Sequence, residues 1–386
     1  MNARGAGVVI AGGGLAAQRC AETLRRLGYE GAVRIVCAEP HRPYDRPPLS
    51  KEVLGDAAAE ESVPFRSKEW LAERSIEVLE GVSARAFDAA AHRLELADGS
   101  SLDYERLVIA TGSKPRMLEP FARFENVSVL RTIEDSRLLR GLLDRGAHLL
   151  IIGAGFIGQE VAAAARKREL AVTVVEAAPL PMHGLLGSEV GGWFAALHRE
   201  EGVELVLGQT AAQIHGGGRV EAVTLEDGRR IEADHVLVGV GVAPDVGWAG
   251  IETGGVPVDA GGRSEWPDVY AAGDAAAFYD PFLGRHALCG HWESAGRQGA
   301  AVAHSITGSD PPKPALSSFW SDQYGMRIQY LGHASLADAV EIDGDPAARD
   351  FVATYMRAGE PVAALIVGRP RALGELRDRL AYIAEA

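Results

Sequence analysis

Cysteine is scarce in this chain: three among 386 residues, at Cys20, Cys37 and Cys289. No two of them stand at a C-x-x-C or C-x4-C spacing, which excludes a sequence-local redox disulfide. Three thiolates also cannot supply the four ligands of an all-cysteine iron–sulfur cluster. So little cysteine suits a reducing compartment. Excess positive charge is lacking too. Lys and Arg number 39 against 53 Asp and Glu, a net charge of −14, the wrong sign for a nucleic-acid partner, because phosphate backbones select basic surfaces. No apolar run reaches the length of a membrane span. Met1-Asn2-Ala3-Arg4-Gly5 runs straight into a strand-like segment, which leaves no room for a secretory leader, and the expected location is the cytoplasm. The eleven histidines are scattered; His286 and His291 are close but lack matching ligand spacing, so no metal site is expected. No nucleophile elbow is present, and hydrolase chemistry has no support.

What the chain has in quantity is glycine, 46 residues of it, and two glycine-rich turns organise it. The first is Val8-Val9-Ile10-Ala11-Gly12-Gly13-Gly14-Leu15-Ala16-Ala17, with Ala17 as the third small residue. The second is Leu149-Leu150-Ile151-Ile152-Gly153-Ala154-Gly155-Phe156-Ile157-Gly158. Each lies between a strand-like apolar run and a helix-like run, and each has dinucleotide-binding spacing. The first glycine (Gly12, Gly153) permits the tight turn, and the second (Gly14, Gly155) lets backbone approach a pyrophosphate. The third small residue (Ala17, Gly158) lets helix and strand pack closely. The phosphates then meet free N–H groups at a helix N-terminus. About 20 residues on, an acid ends the next strand: Glu39 after the first turn, Glu176 after the second. Two such units suggest two dinucleotides side by side, an arrangement suited to hydride traffic between a nicotinamide and a flavin. A carboxylate at Glu176 repels a 2′-phosphate and no arginine follows in Ala177-Ala178-Pro179, so NADH is expected over NADPH.

The rest of the chain repeats by halves. Strand–turn–helix, a hairpin with an Asp-Gly turn (Asp98-Gly99, then Asp227-Gly228), and a buried strand ending in small residues occur twice. Val269-Tyr270-Ala271-Ala272-Gly273-Asp274 follows the completed second copy; it is explained if the first domain resumes there, with the second inserted into it. Residues 40–51 form a proline-rich loop. Pro311-Pro312-Lys313-Pro314 looks like a linker, and the residues beyond it alternate in strand fashion before a helix-like end. The expected fold is α/β: two Rossmann-like dinucleotide-binding domains plus a small α+β domain at the C-terminus. The expected bounds are residues 1–113 and 243–313 for the first dinucleotide-binding domain, residues 114–242 for the inserted second one, and residues 314–386 for the C-terminal domain.

The chain resembles, over essentially its whole length, the FAD-dependent pyridine nucleotide-disulfide oxidoreductases. Within them it is most similar to the ferredoxin reductases of bacterial dioxygenase and cytochrome P450 systems. Besides the glycine turns, the carriers are Arg42-Pro43-Tyr44-Asp45-Arg46-Pro47-Pro48-Leu49-Ser50-Lys51, Ala110-Thr111-Gly112, and Gln159-Glu160. Further carriers are Gly239-Val240-Gly241-Val242-Ala243-Pro244, Ala271-Ala272-Gly273-Asp274, His291-Trp292-Glu293 and Phe319-Trp320-Ser321-Asp322-Gln323-Tyr324-Gly325. Disulfide-reducing relatives place redox cysteine after the second strand. This chain has none there, so its flavin is expected to hand electrons directly to an outside acceptor.

The resemblance implies roles. Arg46 and Lys51 would lie along the flavin, Asp274 would bond its ribityl-phosphate region, and Trp292 would border the isoalloxazine. Ala110, Thr111, Gly112, Gly241 and Gly273 would complete the cofactor-binding set. Lys51 and Glu160 would pair near flavin N5, and Trp320 would lie beside the flavin toward the ferredoxin, so these three are the candidate catalytic residues. The implied enzyme is an NADH:ferredoxin oxidoreductase passing electrons through FAD to a [2Fe–2S] ferredoxin that feeds an oxygenase. The alternatives are a rubredoxin, monodehydroascorbate or quinone reductase on the same scaffold, or an NADH-responsive flavin-binding interaction protein. An acidic ferredoxin would need a local basic patch; Arg-rich stretches such as Arg369-Pro370-Arg371 exist, but acids outnumber bases over the C-terminal domain.

Overall fold

The structure is a computed structural model that describes residues 6–146, 148–252, 254–280, 283–310, 312 and 316–385, with side chains to 380. The five N-terminal residues and, apart from Pro312, the linker-like stretch Pro311-Pro312-Lys313-Pro314 lie outside the described residues. The chain divides into two compact units, the first comprising Met1–Arg46, Glu61–Lys114 and Ala243–Ser317. The second comprises Pro47–Glu60, Pro115–Val242 and Ser318–Ala386. No helix among the described residues is long and apolar enough to cross a membrane.

In the first unit, Val8–Ala11 is buried at all four positions, as a central strand covered on both faces must be. It pairs in parallel with Val33–Cys37 on one side and Arg106–Ile109 on the other. Ile76–Glu80 extends the sheet beyond Val33–Cys37, and Val269–Ala271 closes it beside Arg106–Ile109. The segment left over after the second half-repeat is therefore the fifth strand of the first sheet. Strand order reverses direction at Val8–Ala11, the place where open parallel sheets bind ligands. The helix Leu15–Arg26 leaves from there and buries Ala16, Ala17, Cys20, Ala21 and Leu24, one apolar stripe at helical spacing.

The second unit repeats the plan. Leu149–Ile152 pairs in parallel with Val172–Glu176 and His235–Val238, flanked by Glu204–Leu207 and the short Val127–Ser128. The Asp227-Gly228 hairpin joins Ala222–Leu225 to Arg230–Glu232. The C-terminal residues form a five-stranded antiparallel sheet, ordered Ser318–Gln323, Met326–Gly332, Glu360–Val367, Asp350–Arg357, Ala339–Asp345, followed by the helix Ala372–Glu385. The sheet's core residues Ile328, Tyr330, Phe351, Tyr355 and Leu365 pack in one cluster with Leu186, Val190 and Phe194, which lie on the helix His183–Glu200. Tyr355 Oη donates to Leu186 O at 2.8 Å and Trp193 Nε1 to Pro346 O at 3.0 Å.

Residues 47–60, part of the proline-rich loop and its continuation, form a 3-10 turn at Pro47–Ser50 and a short helix at Glu52–Gly55. Ser136 Oγ donates to Leu49 O at 2.8 Å and Arg140 Nη1 to Val53 O at 2.9 Å. Arg168 Nη2 donates to Leu54 O at 2.9 Å.

Burial pushes the Cys20 thiol up to about 12. Burial does the same to Cys37, helped by the nearby carboxylates of Glu80 and Glu39. Only Cys289 is partly exposed. A thiolate-selective disulfide reagent should therefore titrate one thiol in the native protein and all three after denaturation. Fast reaction of two or more native thiols would contradict this burial.

Candidate functional site

Gly12 ends the first strand with φ +127°. A Cβ there would lie 2.0 Å from Ala110 O, whereas one at Gly14 would meet nothing within 4 Å. Gly12 is thus fixed by the neighbouring strand end, and the space over Gly14 is open. Gly14 caps the helix Leu15–Arg26 without a side-chain hydrogen bond, which leaves first-turn N–H groups for an anion. Ala17 is fully buried beneath. Beyond Ala110, Thr111 Oγ1 donates to Asp245 O at 2.6 Å, and Gly112 O accepts from Asp245 N at 2.9 Å.

Glu39 lies just past the strand Val33–Cys37. It accepts from Arg46 Nη2 at 2.7 Å and from Tyr44 Oη at 2.5 Å, and Arg46 Nη1 also donates to Tyr44 Oη at 3.0 Å. A carboxylate has about four acceptor positions, so these donors orient Glu39 and leave it capacity for ribose hydroxyls. Asp274 accepts from Ser113 Oγ at 2.7 Å, and Gly273 N donates to Gln298 Oε1 at 2.8 Å. Trp292 Nε1 donates to Asp45 Oδ1 at 2.6 Å, tying the start of the helix Trp292–Thr307 to the Tyr44-Asp45-Arg46 stretch. These residues fit a flavin dinucleotide: an open glycine turn, uncapped helix N–H groups, and a strand-end carboxylate already oriented.

The second turn is built alike. A Cβ on Gly153 would lie 2.6 Å from Gly239 O, and one on Gly158 would lie 2.3 Å from Gly153 O. The third glycine thus lets the helix Phe156–Arg166 sit against the strand. Gly155 caps that helix, again with no side-chain bond. Glu176 ends its strand and accepts from Ala154 N and Ala178 N, both at 2.7 Å. Gly153, Gly155, Glu176 and Gly241 line one cleft of about 1390 Å³, roomy enough for an extended dinucleotide segment.

Lys51 and Glu160, 109 residues apart, meet as an ion pair: Lys51 Nζ donates to Glu160 Oε2 at 2.8 Å. Ser50 Oγ donates to the same oxygen at 2.5 Å and Ser321 Oγ to Oε1 at 2.7 Å. The carboxylate side chain is only 4% exposed. Three donors, one of them cationic, hold it in one orientation. Glu160 sits on the same helix that opens at Gly155. Trp320 stands next to Ser321 in Ser318–Gln323, so strand alternation points it to the face opposite Ser321.

Ser50, Ser321, Gln159, Gln323, His198 and Tyr324 form the rest of this buried cluster. Of these, His198 alone stands outside the strings quoted above; Ser50, Gln159, Ser321, Gln323 and Tyr324 lie within them, but only their spatial meeting with His198 gives them a part.

Burial pulls His198 down to about 4, opposed by its bond to Gln323. Burial, with Arg219 and Arg145 adding to it, does the same to His235. Both are 1% exposed. They stay neutral in the fold while the unfolded chain takes up protons near pH 6.5, so their contribution is complete above that and is lost as pH falls toward 4. Each is worth on the order of 3 kcal/mol. The denaturation midpoint should drop steeply between pH 6.5 and 4, and His198→Gln should flatten part of that slope. A slope unchanged in His198→Gln would contradict a neutral His198.

Two parallel sheets, each with a tight glycine turn, an uncapped helix and a strand-end carboxylate, define a protein of the two-dinucleotide oxidoreductase class. Residues 6–299 match the pyridine nucleotide-disulphide oxidoreductase family, and residues 318–385 match the reductase C-terminal family. The chain belongs to the pyridine nucleotide-disulphide oxidoreductases and carries the reductase C-terminal domain. It is 35% identical over 379 residues to the anthranilate 1,2-dioxygenase system ferredoxin–NAD(+) reductase component of Burkholderia cepacia, covering 97% of this chain and 93% of that protein. It is 38% identical over 330 residues to the benzene 1,2-dioxygenase system ferredoxin–NAD(+) reductase subunit of Pseudomonas putida, covering 84% and 80%. Its structure matches the reductase of the covalent putidaredoxin reductase–putidaredoxin complex with a TM-score of 0.93 at 32% identity, covering 97% of this chain and 92% of that one.

Proposed function

We propose that this chain is an NADH-dependent, FAD-containing reductase of a [2Fe–2S] ferredoxin that feeds an oxygenase, acting in the cytoplasm. The observation that carries this reading is one helix, Phe156–Arg166, which opens on the second glycine turn and also bears the buried partner of Lys51. The donor's binding turn and the carboxylate of a fixed charge pair are thereby built on one rigid element. The relatives named as ferredoxin–NAD(+) reductases support the choice of acceptor.

In this reading residues 1–113 and 243–313 hold FAD, residues 114–242 hold NADH, and residues 314–386 form the interface domain. Gly12, Gly14, Ala17, Glu39, Arg46, Ala110, Thr111, Gly112, Gly273, Asp274 and Trp292 serve the flavin nucleotide. Gly153, Gly155, Gly158, Glu176 and Gly241 serve NADH, and Glu176 disfavours a 2′-phosphate. Bound FAD supplies what no side chain can, acceptance of a hydride and release of electrons one at a time. Lys51 and Glu160 orient the reacting rings with a preorganised charge pair, and Trp320 serves delivery to the ferredoxin. Arg369, in the basic stretch near the C-terminus, is ion-paired to Asp343 and Asp350, so its charge is balanced within the sheet's own surroundings.

Steady-state turnover with a panel of acceptors tests the reading. It calls for NADH-driven reduction of a [2Fe–2S] ferredoxin to exceed that of rubredoxin, monodehydroascorbate and quinone. Faster turnover with one of those three would overturn the ferredoxin assignment. Slow turnover with every acceptor, together with an NADH-dependent change in oligomeric state, would favour the interaction-protein class.

A further inference from the structure

The buried cluster around Glu160 has a direction. Gln159 Nε2 donates to Ala154 O, inside the second glycine turn, at 2.9 Å. That bond turns Gln159 Oε1 toward His198 Nε2, 3.0 Å away. Gln323 Oε1 faces the same nitrogen at 3.1 Å. Two amide oxygens on one ring nitrogen require it to carry the proton. Nδ1 is then the acceptor, and Tyr324 Oη donates to it at 2.7 Å. With its oxygen on His198, Gln323 presents Nε2 to Ser321 Oγ at 3.0 Å. Ser321 accepts there and donates its one O–H to the acceptor-only Glu160 Oε1 at 2.7 Å. Every link is fixed by the one before it.

We propose that His198, held neutral as the Nε2–H tautomer, is a positioning residue that fixes this hydrogen-bond chain from the second glycine turn to the Glu160 carboxylate. The inference rests on the role given to Glu160 under the proposed function. With the opposite tautomer, Gln323 would rotate to donate to His198 and present its oxygen to Ser321. Ser321 would turn its O–H to that oxygen, and Glu160 would lose a donor. The local fold fits the task. Tyr324 and Gly325, both at positive φ, make a two-residue turn between Ser318–Gln323 and Met326–Gly332, a tight hairpin that sets Gln323 and Tyr324 rigidly. Burial pushes the Tyr324 hydroxyl's pKa up, Glu201 adding to this and Arg166 and Arg349 opposing it, so the hydroxyl remains a donor at neutral pH. The charged groups facing the chain are Lys51 at Glu160, and Glu201, Arg166 and Arg349 around Tyr324.

The test combines three variants with one spectroscopic measurement on the flavin-loaded protein. Histidine-15N NMR reads the His198 tautomer directly, and a protonated Nε2 with bare Nδ1, unchanged from pH 6 to 8, is expected. Ser321→Ala and His198→Phe are expected to slow NADH-driven flavin bleaching about fivefold, on the order of one hydrogen bond's contribution. The loss should appear in the bleaching rate at saturating NADH. NADH affinity should hold. Glu160→Gln is the control. If it slows bleaching while folded Ser321→Ala and His198→Phe leave the rate unmoved, the positioning role is overturned and the proposed function stands. If Glu160→Gln leaves bleaching unchanged, the role of Glu160 itself fails. An Nδ1–H tautomer overturns the inference even if His198→Phe does not fold.

Discussion

Glu160→Gln should slow NADH-driven bleaching of the bound flavin by about 100-fold, the scale on which removing one preorganised electrostatic group acts. The carboxylate is buried, and its three donors, Lys51, Ser50 and Ser321, point at it from separate parts of the second unit. Glutamine keeps the shape and removes the charge. Lys51 Nζ is then left with neutral acceptors, the amide oxygen, Pro47 O at 3.2 Å and Ser50 Oγ at 3.4 Å. A buried cation stripped of its counter-ion costs about 3–5 kcal/mol, so the thermal midpoint should fall as well. The double variant Lys51→Met, Glu160→Gln separates the two effects. It should recover much of the stability, because burying two neutral groups is cheaper than burying one lone charge, but it should not recover the rate. A double variant that regained normal bleaching would show that the pair is structural.

Gly12→Ala should cost about 2–5 kcal/mol of stability, from backbone strain and overpacking together. At φ +127° the new methyl would stand 2.0 Å from Ala110 O, 2.4 Å from Ala110 C and 2.8 Å from Thr111 N. All three are backbone atoms, so no flexible side chain can give way. Gly14→Ala is the informative partner. Its methyl meets nothing in the protein, so the flavin-free fold should be as stable as the parent, yet the methyl occupies the approach to the turn and flavin retention should fall. Equal stability losses for the two, measured by denaturant unfolding of the flavin-free proteins, would contradict the assignment of Gly12 to the turn and Gly14 to the ligand.

Both turns were legible in the sequence because their physics is local. Close approach of a helix to a strand needs small residues at fixed spacing, and strand-end acids follow one crossover later. The return of Val269–Ala271 to the first sheet was legible too, since a buried strand with no place in the second half had to pair somewhere. The shared core between the C-terminal sheet and Leu186, Val190 and Phe194 was not. Those residues look like any amphipathic helix face, and pattern alone does not say what the face covers. The anchoring of residues 47–60 by Ser136, Arg140 and Arg168 was hidden for a related reason, because exposed-looking polar residues spend their donors on distant carbonyls. The route from Gln159 through His198 and Gln323 to Ser321 spans more than 160 residues, and its order depends on which atom of each amide faces which neighbour.

A stopped-flow anaerobic NADH titration of the purified protein, followed by an oxidised [2Fe–2S] ferredoxin, decides whether the chain carries electrons from NADH through its flavin to a ferredoxin. Rapid flavin bleaching with a long-wavelength charge-transfer band, then fast ferredoxin reduction, is expected. Protein that takes up no flavin, or flavin that bleaches and passes nothing to the ferredoxin, would contradict it.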